Sequence, residues 1–228
     1  PFVTVASQRG WVEAGQGLAA EFVGEVARYA DGPESKRIFF AADRVDRHDG
    51  ELLLSDYKTG KPLSGADDEA VQRKDLLAAV RSGKALQATA YALVGEREGD
   101  TGRYLFLGPD VSPQTAMVTI EGADTEVIEA FEETASRLLA LRADGAFVPR
   151  LISPKGGGEA DVCRTCDLAQ ACLRGDSGAR GRLGRWFEAG AAAGDEIDSR
   201  EALRQLFDPD GRGKWTASGG ASRSRAKR

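Results

Sequence analysis

The sequence has few cysteines and no long apolar run. Its 228 residues include three cysteines, an odd number, and all three lie between Cys163 and Cys172. This excludes a secreted fold held together by disulfides and favours a reducing, cytoplasmic compartment in which the thiols bind a metal or cluster. No stretch approaches the roughly 20 consecutive apolar residues that a membrane-spanning helix needs. The sequence therefore predicts no membrane partner.

An excess of positive charge is also missing. Lys and Arg total 31 against 36 Asp and Glu, a net charge of −5, which by itself argues against a general nucleic-acid binder. The charge is uneven, because Pro209 to Arg228 carries six basic residues and one acidic residue. This Gly/Ser/Arg-rich segment lacks the apolar residues needed to fold. We expect a basic disordered tail over residues 209–228, serving as a linker or as a contact for a polyanion.

Apolar spacing and turn signals predict the order of helices and strands. Leu18, Phe22, Val26 and Tyr29 are spaced by four, four and three, which predicts a helix within Trp11 to Tyr29. Two strands, 36–45 and 51–58, are joined by a tight turn that ends in an Asp-Gly dipeptide. Further helices are expected over 67–82, 85–94, 124–143 (with Asp124 as N-cap) and about 182–207, and further strands over 103–107 and 115–120. This order predicts an α/β fold with a mixed sheet flanked by helices.

The hairpin carries a concentration of acidic side chains at one end. In a strand, residues two apart share a face, so Asp56 and Lys58 point the same way. Pairing around the turn can bring Asp43 level with Asp56. Neighbouring carboxylates repel one another unless a cation lies between them, and Mg²⁺ binds through one or two carboxylates. The alternative for a bare Asp-X-Lys is a solvated ion pair on an amphipathic hairpin.

A polar pair follows on the helix predicted over 85–94. Gln87 and Tyr91 are four residues apart, so they are neighbours on one helix face. An amide and a phenol in that position suit hydrogen bonding toward a site or toward a backbone phosphate.

These motifs together resemble those of RecB-type nucleases in the PD-(D/E)XK superfamily. The similar residues are Asp43-Arg44-Val45-Asp46, Asp56-Tyr57-Lys58-Thr59-Gly60 and Gln87-x-x-x-Tyr91. The resemblance implies a restriction-endonuclease-like core and a Mg²⁺- or Mn²⁺-dependent deoxyribonuclease. It also implies roles: Asp43, Asp56 and the Tyr57 carbonyl as metal ligands, Lys58 as the catalytic lysine, and Gln87 and Tyr91 as an accessory motif.

The cysteine segment extends the resemblance. Cys163, Cys166 and Cys172 are separated by two and five residues, and paired cysteines of this kind commonly begin a zinc or iron–sulfur site. AddB-type helicase–nuclease subunits and CRISPR-associated adaptation nucleases are similar here, and they imply a structural [4Fe–4S] cluster. Only three thiols exist and the sole histidine, His48, lies in the hairpin turn. We expect the fourth cysteine to lie upstream of Pro1, in an N-terminal part that this chain lacks.

The leading hypothesis is a DNA exonuclease domain, acting on ends or single strands, of a recombinational-repair helicase–nuclease with helicase domains or a partner subunit. The alternatives are a stand-alone CRISPR-adaptation-type nuclease, a catalytically silent DNA-binding scaffold, and a zinc-binding interaction module. The expected domains are an N-terminal helical segment (1–35), the nuclease core with its cysteine segment (36–180), a helical extension (181–208) and the basic tail (209–228). Candidates for phosphate contacts, and equally for solvated surface charge, are Arg44, Lys61, Arg73 and Lys74.

Overall fold

The computed structural model describes residues 16–27, 37–48, 50–94, 99–146, 161–164, 166–168, 172, 177–188 and 199–207. The strands in these residues are β1 (Gln16–Ala27), β2 (Arg37–His48), β3 (Glu51–Lys58), β4 (Thr101–Phe106) and β5 (Met117–Glu121). The helices are α1 (Glu69–Arg81), α2 (Gln87–Ala92), α3 (Thr125–Ala143), α4 (Asp161–Arg164), α5 (Ser177–Glu188) and α6 (Ser199–Phe207). None of these helices is long and apolar enough to cross a membrane.

The five strands form one mixed sheet in the order β1-β2-β3-β4-β5. Strands β3 and β4 are parallel, whereas the other neighbouring pairs are antiparallel. A parallel pair cannot be joined by a tight turn and needs a long crossover connection. Here the chain between β3 and β4 contains α1 and α2. The predicted α/β class with a mixed sheet and flanking helices is therefore confirmed.

The hairpin of β2 and β3 has the predicted position and a definite register. Gly50 has a φ of 87°, a left-handed conformation that glycine adopts at no steric cost in such turns. His48 pairs with Glu51, and the pairing continues to Arg44 opposite Ser55. Because side chains alternate along a strand, this register fixes which residues of β2 and β3 share a face.

The helix predicted within Trp11 to Tyr29 is wrong for residues 16–27, which form strand β1 paired with β2. The apolar spacing of four from Leu18 to Phe22 to Val26 is a multiple of two, so the pattern fits the period of a strand as well as that of a helix. Two glycines in the segment, Gly17 and Gly24, disfavour a helix interior. Because residues 16–27 can pair with the long strand β2, they form a strand and not a helix.

Most other predicted elements agree with the structure to within a few residues. Asp124 caps α3 as expected, because its Oδ1 accepts a hydrogen bond of 3.3 Å from the Val127 N–H. The Asp124 carboxylate also accepts hydrogen bonds from Arg73 of α1, and these hold the pKa of Asp124 below its ordinary value. The single helical stretch predicted over 182–207 is instead found as two helices, α5 and α6, in the described residues.

The core packs α2 directly on the sheet. Its buried residues come from β2–β5, α1, α2 and α3 and include Phe40, Leu54, Val80, Tyr91, Tyr104, Ile120 and Phe131. The approach of α2 is close because Gly102 of β4 has no side chain. A Cβ atom built on Gly102 would lie 1.7 Å from the Ala88 carbonyl oxygen and 2.9 Å from the Tyr91 Cβ. A glycine inside a strand commonly marks such an approach of another backbone.

The chain divides into two compact units, residues 1–136 and 137–228. The second unit has its own small apolar cluster, formed by Leu141, Ala202, Leu203 and Leu206. Within this unit the Ser199 hydroxyl donates a hydrogen bond of 2.7 Å to Asp144. The domain boundaries expected at residues 35, 180 and 208 stay predictions, and the basic tail over 209–228 lies outside the described residues.

The first prediction concerns Gly102. We expect Gly102→Ala to destabilise the protein by about 1–3 kcal/mol, the usual result of adding a methyl group to a filled core. The clash is with backbone, so the methyl group can be accommodated only if α2 moves away from the sheet. Thermal unfolding of Gly102→Ala and of Gly65→Ala, where an added Cβ meets nothing within 4 Å, measures the effect. Equal midpoints for the two variants would contradict this close approach.

Candidate active site

Two carboxylates meet where the β2–β3 pairing ends. The last paired residues are Arg44 and Ser55, so the same register continued by one residue sets Asp43 opposite Asp56. At this point Asp43 Oδ2 accepts a hydrogen bond of 2.6 Å from the backbone N–H of Tyr57. Asp43 is exposed to solvent, whereas Asp56 is only 5% exposed. The structure thus brings together the two acidic residues that the sequence predicts as metal ligands.

Lys58 lies on the same face of β3 as Asp56 and is the third charged residue of this group. Its Nζ is 2.6 Å from Asp56 Oδ2 and donates a hydrogen bond of 2.8 Å to Gln87 Oε1 at the start of α2. The Lys58 side chain remains 36% exposed. The ammonium is therefore held by two partners and is still accessible from solvent.

Tyr91 anchors Asp56 and β2 from the helix side. Its hydroxyl donates a hydrogen bond of 2.6 Å to the Ala41 carbonyl and lies 3.5 Å from Asp56 Oδ1. Burial raises the pKa of Tyr91 above its ordinary value, and the Asp56 carboxylate raises it further. The phenol therefore remains a protonated donor. Because Tyr91 is completely buried, the structure does not support the alternative that it contacts a backbone phosphate.

The predicted shared helix face of Gln87 and Tyr91 is confirmed. One turn of α2 carries both, so Gln87 reaches Lys58 while Tyr91 reaches β2 and Asp56. These contacts explain why an amide and a phenol occupy positions where a core helix would ordinarily have apolar residues.

Tyr104 is a residue of this site that the motifs did not indicate. It lies opposite Asp56 in the parallel pairing of β3 with β4. Its ring centroid is 5.5 Å from Lys58 Nζ, within the range of a cation–π interaction, and its hydroxyl accepts a hydrogen bond of 3.1 Å from the Ala88 N–H of α2. Burial raises the pKa of Tyr104 to about 12. A glycine two residues earlier, Gly102, is the one sequence signal that a helix lies on this part of β4.

The candidate phosphate-binding cations differ in their surroundings. The Arg44 guanidinium pairs with buried Asp46 at 2.6 Å, and these hydrogen bonds raise the pKa of Arg44. Arg73 pairs with Asp124 and Glu126, which raises its pKa as well. Both arginines are thus engaged within the protein. Lys61 lies in the loop after β3, and Lys74 is exposed on α1.

The donor atoms at the end of the hairpin fit a hard divalent cation. Asp56 Oδ2 is buried and has no hydrogen bond of normal geometry among the described residues, its contact with Lys58 being an ion pair. The described residues contain no cluster of three or more His, Cys, Asp or Glu side chains that could hold a metal ion. Two carboxylates are nevertheless sufficient for Mg²⁺, which keeps several water ligands in protein sites.

The cysteines do not form such a site in the described residues. Cys163 and Cys172 are half-buried, Cys166 is exposed, and none of the three is in a disulfide. Among the described residues, these thiols are not part of any group of three or more His, Cys, Asp or Glu side chains that could hold a metal ion. Three thiols are one fewer than the four ligands that a [4Fe–4S] cluster normally takes, and no chemistry is assigned to a cluster here.

A mixed sheet with a carboxylate pair and a lysine at the end of a hairpin defines the restriction-endonuclease-like α/β class. The chain matches the family model of the PD-(D/E)XK nuclease superfamily over residues 8–173. This match covers well over half of the chain, and the protein belongs to that superfamily. The matched region begins before β1, so it extends beyond the sequence motifs, all of which lie after Lys36. Neither a curated protein nor a solved structure matches the chain. Nucleases of this superfamily generally use Mg²⁺ or Mn²⁺.

The second prediction separates the two contacts of Tyr104. Tyr104→Phe removes the acceptor for a buried N–H and is expected to lower the free energy of unfolding by about 1–2 kcal/mol, with cleavage largely retained. Tyr104→Leu also removes the ring beneath the Lys58 ammonium. We expect the leucine variant to lower kcat with little change in KM and to alter the pH profile of cleavage. Identical pH profiles for all three proteins would show that Tyr104 acts only in packing.

Proposed function

We propose that this protein is a metal-dependent deoxyribonuclease in which Asp43 and Asp56 hold Mg²⁺ or Mn²⁺ and Lys58 is the catalytic lysine. The observation that carries the proposal is the meeting of these three side chains at one end of the hairpin, with the ammonium 2.6 Å from Asp56. Membership of the nuclease superfamily supplies the reaction class: water adds to a phosphodiester phosphorus and one P–O ester bond breaks. DNA is the substrate that a nuclease domain of this kind implies.

The proposed roles combine what the resemblance of the motifs implies with the contacts of the residues. The bound cation would acidify a water molecule and offset charge developing on the phosphate. Asp43 and Asp56 supply carboxylate oxygens from neighbouring strands, and the Tyr57 carbonyl completes the proposed ligand set. Lys58 presents a positive charge that can stabilise the transition state of phosphate ester hydrolysis. Gln87 orients that ammonium through its amide oxygen.

The finer assignment rests on the resemblance of the motifs to RecB-type nucleases. On that basis we propose an exonuclease that acts on DNA ends or single strands. It would be part of a recombinational-repair helicase–nuclease that includes helicase domains or a partner subunit. A CRISPR-adaptation-type nuclease has the same core and is the second candidate. A silent DNA-binding scaffold is the third. The intact Asp43, Asp56 and Lys58 favour an enzyme over a scaffold.

The third prediction tests the enzyme directly. Lys58→Ala is expected to reduce Mg²⁺- or Mn²⁺-dependent cleavage of labelled DNA by about a hundredfold or more, because a charge aimed at the transition state is removed. DNA binding should persist, as measured by fluorescence anisotropy. Addition of EDTA to the wild-type protein should abolish cleavage.

Lys84→Ala is the matched control, since Lys84 is an exposed lysine just after α1 and outside the site. Asp56→Asn should lose cleavage and also weaken Mn²⁺ binding measured by electron paramagnetic resonance. DNA binding without cleavage in wild type and Lys58→Ala alike would mean a scaffold.

The fourth prediction concerns the cysteines. We propose that a [4Fe–4S] cluster requires a fourth cysteine ligand besides Cys163, Cys166 and Cys172, so this chain alone should bind iron poorly after anaerobic reconstitution. Iron and sulfide analysis together with the absorption spectrum provides the measurement. A full four-iron cluster on this chain would overturn the requirement for a fourth cysteine. Stoichiometric zinc in the purified protein would instead favour a zinc-binding module.

A further inference from the structure

The second compact unit, residues 137–228, contains a basic surface that the proposed active site does not use. The surface is formed by helices α5 and α6. Both helices lie after residue 173, where the match to the nuclease superfamily ends. Membership of the superfamily therefore gives their side chains no role. The α5–α6 basic surface consists of Arg182, Arg185 and Trp186 of α5 together with Arg200 of α6.

The two arginines of α5 lie on the exposed face of the helix. Ala179 is buried and Leu183, four residues later, is half-buried against the apolar cluster of this unit, so these residues mark the inner face. Arg182 and Arg185 are three residues apart, and both are exposed. Neither pairs with a carboxylate among the described residues, in contrast to the paired arginines of the first unit. Helix α5 therefore presents two neighbouring positive charges to solvent.

The sequence of α5 is a poor one for a helix that only supports the fold. Like charges three or four residues apart destabilise a helix, and Arg182 and Arg185 are such a pair. Glycine disfavours helix interiors, and α5 has three glycines among its 12 residues. An anion bound across the two arginines would remove their repulsion. Local departures of this kind from a favourable sequence are expected at functional sites.

Trp186 connects the arginines of the two helices. It lies one helical turn after Arg182, and it remains 36% exposed although it is a large aromatic residue. The Arg200 guanidinium of α6 lies over the Trp186 ring at 5.9 Å from the ring centroid, within the range of a cation–π interaction. This contact holds a third positive charge beside the pair on α5.

The distribution of charge along the chain favours a polyanion as the ligand. Residues 177–228 contain 11 Lys and Arg against 7 Asp and Glu, whereas residues 1–176 contain 20 against 29. Positive charge is thus concentrated at the C-terminal end of an otherwise acidic chain. Helix α6 ends at Phe207, directly before the basic segment 209–228. Several arginines followed by further basic residues match a ligand with many negative charges, as DNA has in its phosphates.

We propose that the α5–α6 basic surface is a second DNA-binding site, which holds the sugar-phosphate backbone of the substrate outside the catalytic group. Arg182 and Arg185 contact phosphates, and Arg200 contacts a further phosphate from its position on Trp186. Such contacts position DNA without reading its sequence. The inference rests on the proposed nuclease function for the identity of the polyanion, and it adds a binding site beyond the superfamily-matched residues.

The test measures the salt dependence of DNA binding separately from cleavage. Arg182→Gln and Arg185→Gln are combined in the full-length Lys58→Ala chain, and fluorescence anisotropy in EDTA measures the affinity for a labelled duplex at several salt concentrations. Each lost phosphate contact reduces the slope of log Kobs against log salt concentration by about one. We therefore expect the double substitution to weaken binding and to reduce this slope by about two.

Two matched variants control for net charge and for side-chain chemistry. Arg47→Gln with Lys84→Gln removes the same charge from exposed residues of the first unit and should leave the slope unchanged. Arg182→Lys with Arg185→Lys keeps the charge and should retain the slope. Circular dichroism checks the folding of each variant. If the double glutamine variant does not fold, Arg182→Gln alone should reduce the slope by about one.

The outcomes distinguish this inference from the nuclease proposal. An unchanged slope in a folded α5 variant would overturn the second binding site, even if the wild-type chain cleaves DNA. An equal reduction in the control with Arg47 and Lys84 replaced would also overturn it, because the effect would then be one of net charge. A reduction confined to the α5 variants, in a wild-type chain that cleaves no DNA, would uphold the binding site and overturn the enzyme.

Discussion

The repulsion between Asp43 and Asp56 is the constraint around which this part of the fold is arranged. Like charges on directly opposite residues of neighbouring strands destabilise the pairing. The structure offsets this with a backbone N–H on Asp43, and with the Lys58 ammonium and the Tyr91 hydroxyl near Asp56. Asp56 Oδ2, the oxygen paired with the Lys58 ammonium, has no hydrogen bond of normal geometry among the described residues, and a cation bound beside it would offset the same repulsion.

The crossover between β3 and β4 explains how distant motifs reach one place. A parallel pair requires the chain to return along a face of the sheet, and α2 lies on β3 and β4 during this return. Gly102 permits the close approach, and Tyr104 fixes it through the Ala88 N–H. The spacing of Gln87 and Tyr91 by one helical turn then directs one side chain to Lys58 and the other to Asp56.

Much of this arrangement follows from the sequence because the signals are local. The turn at Gly50 sets the register of β2 with β3, and that register sets Asp43 beside Asp56. The N-terminal strand could not be predicted in the same way, since an apolar spacing of four fits both periods. Pairing with β2, a long-range interaction, decides between them. Tyr104 was missed for the same reason, because its role depends on the parallel register with β3 and on a helix nearby.

The composition of the site favours a catalytic role over a purely structural one. Burying a carboxylate such as Asp56 costs free energy that an ion pair with the partly exposed Lys58 offsets only in part, so the two residues are a poor choice if packing were their only role. Gln87 and Tyr91 add polar groups to a helix whose other buried residues are three alanines and Thr89. Each of these polar groups has a role if a phosphate and a cation bind beside Asp56. Departures from good packing of this kind concentrate at functional sites, which is why the hairpin end, rather than the cysteine segment, carries the proposed activity.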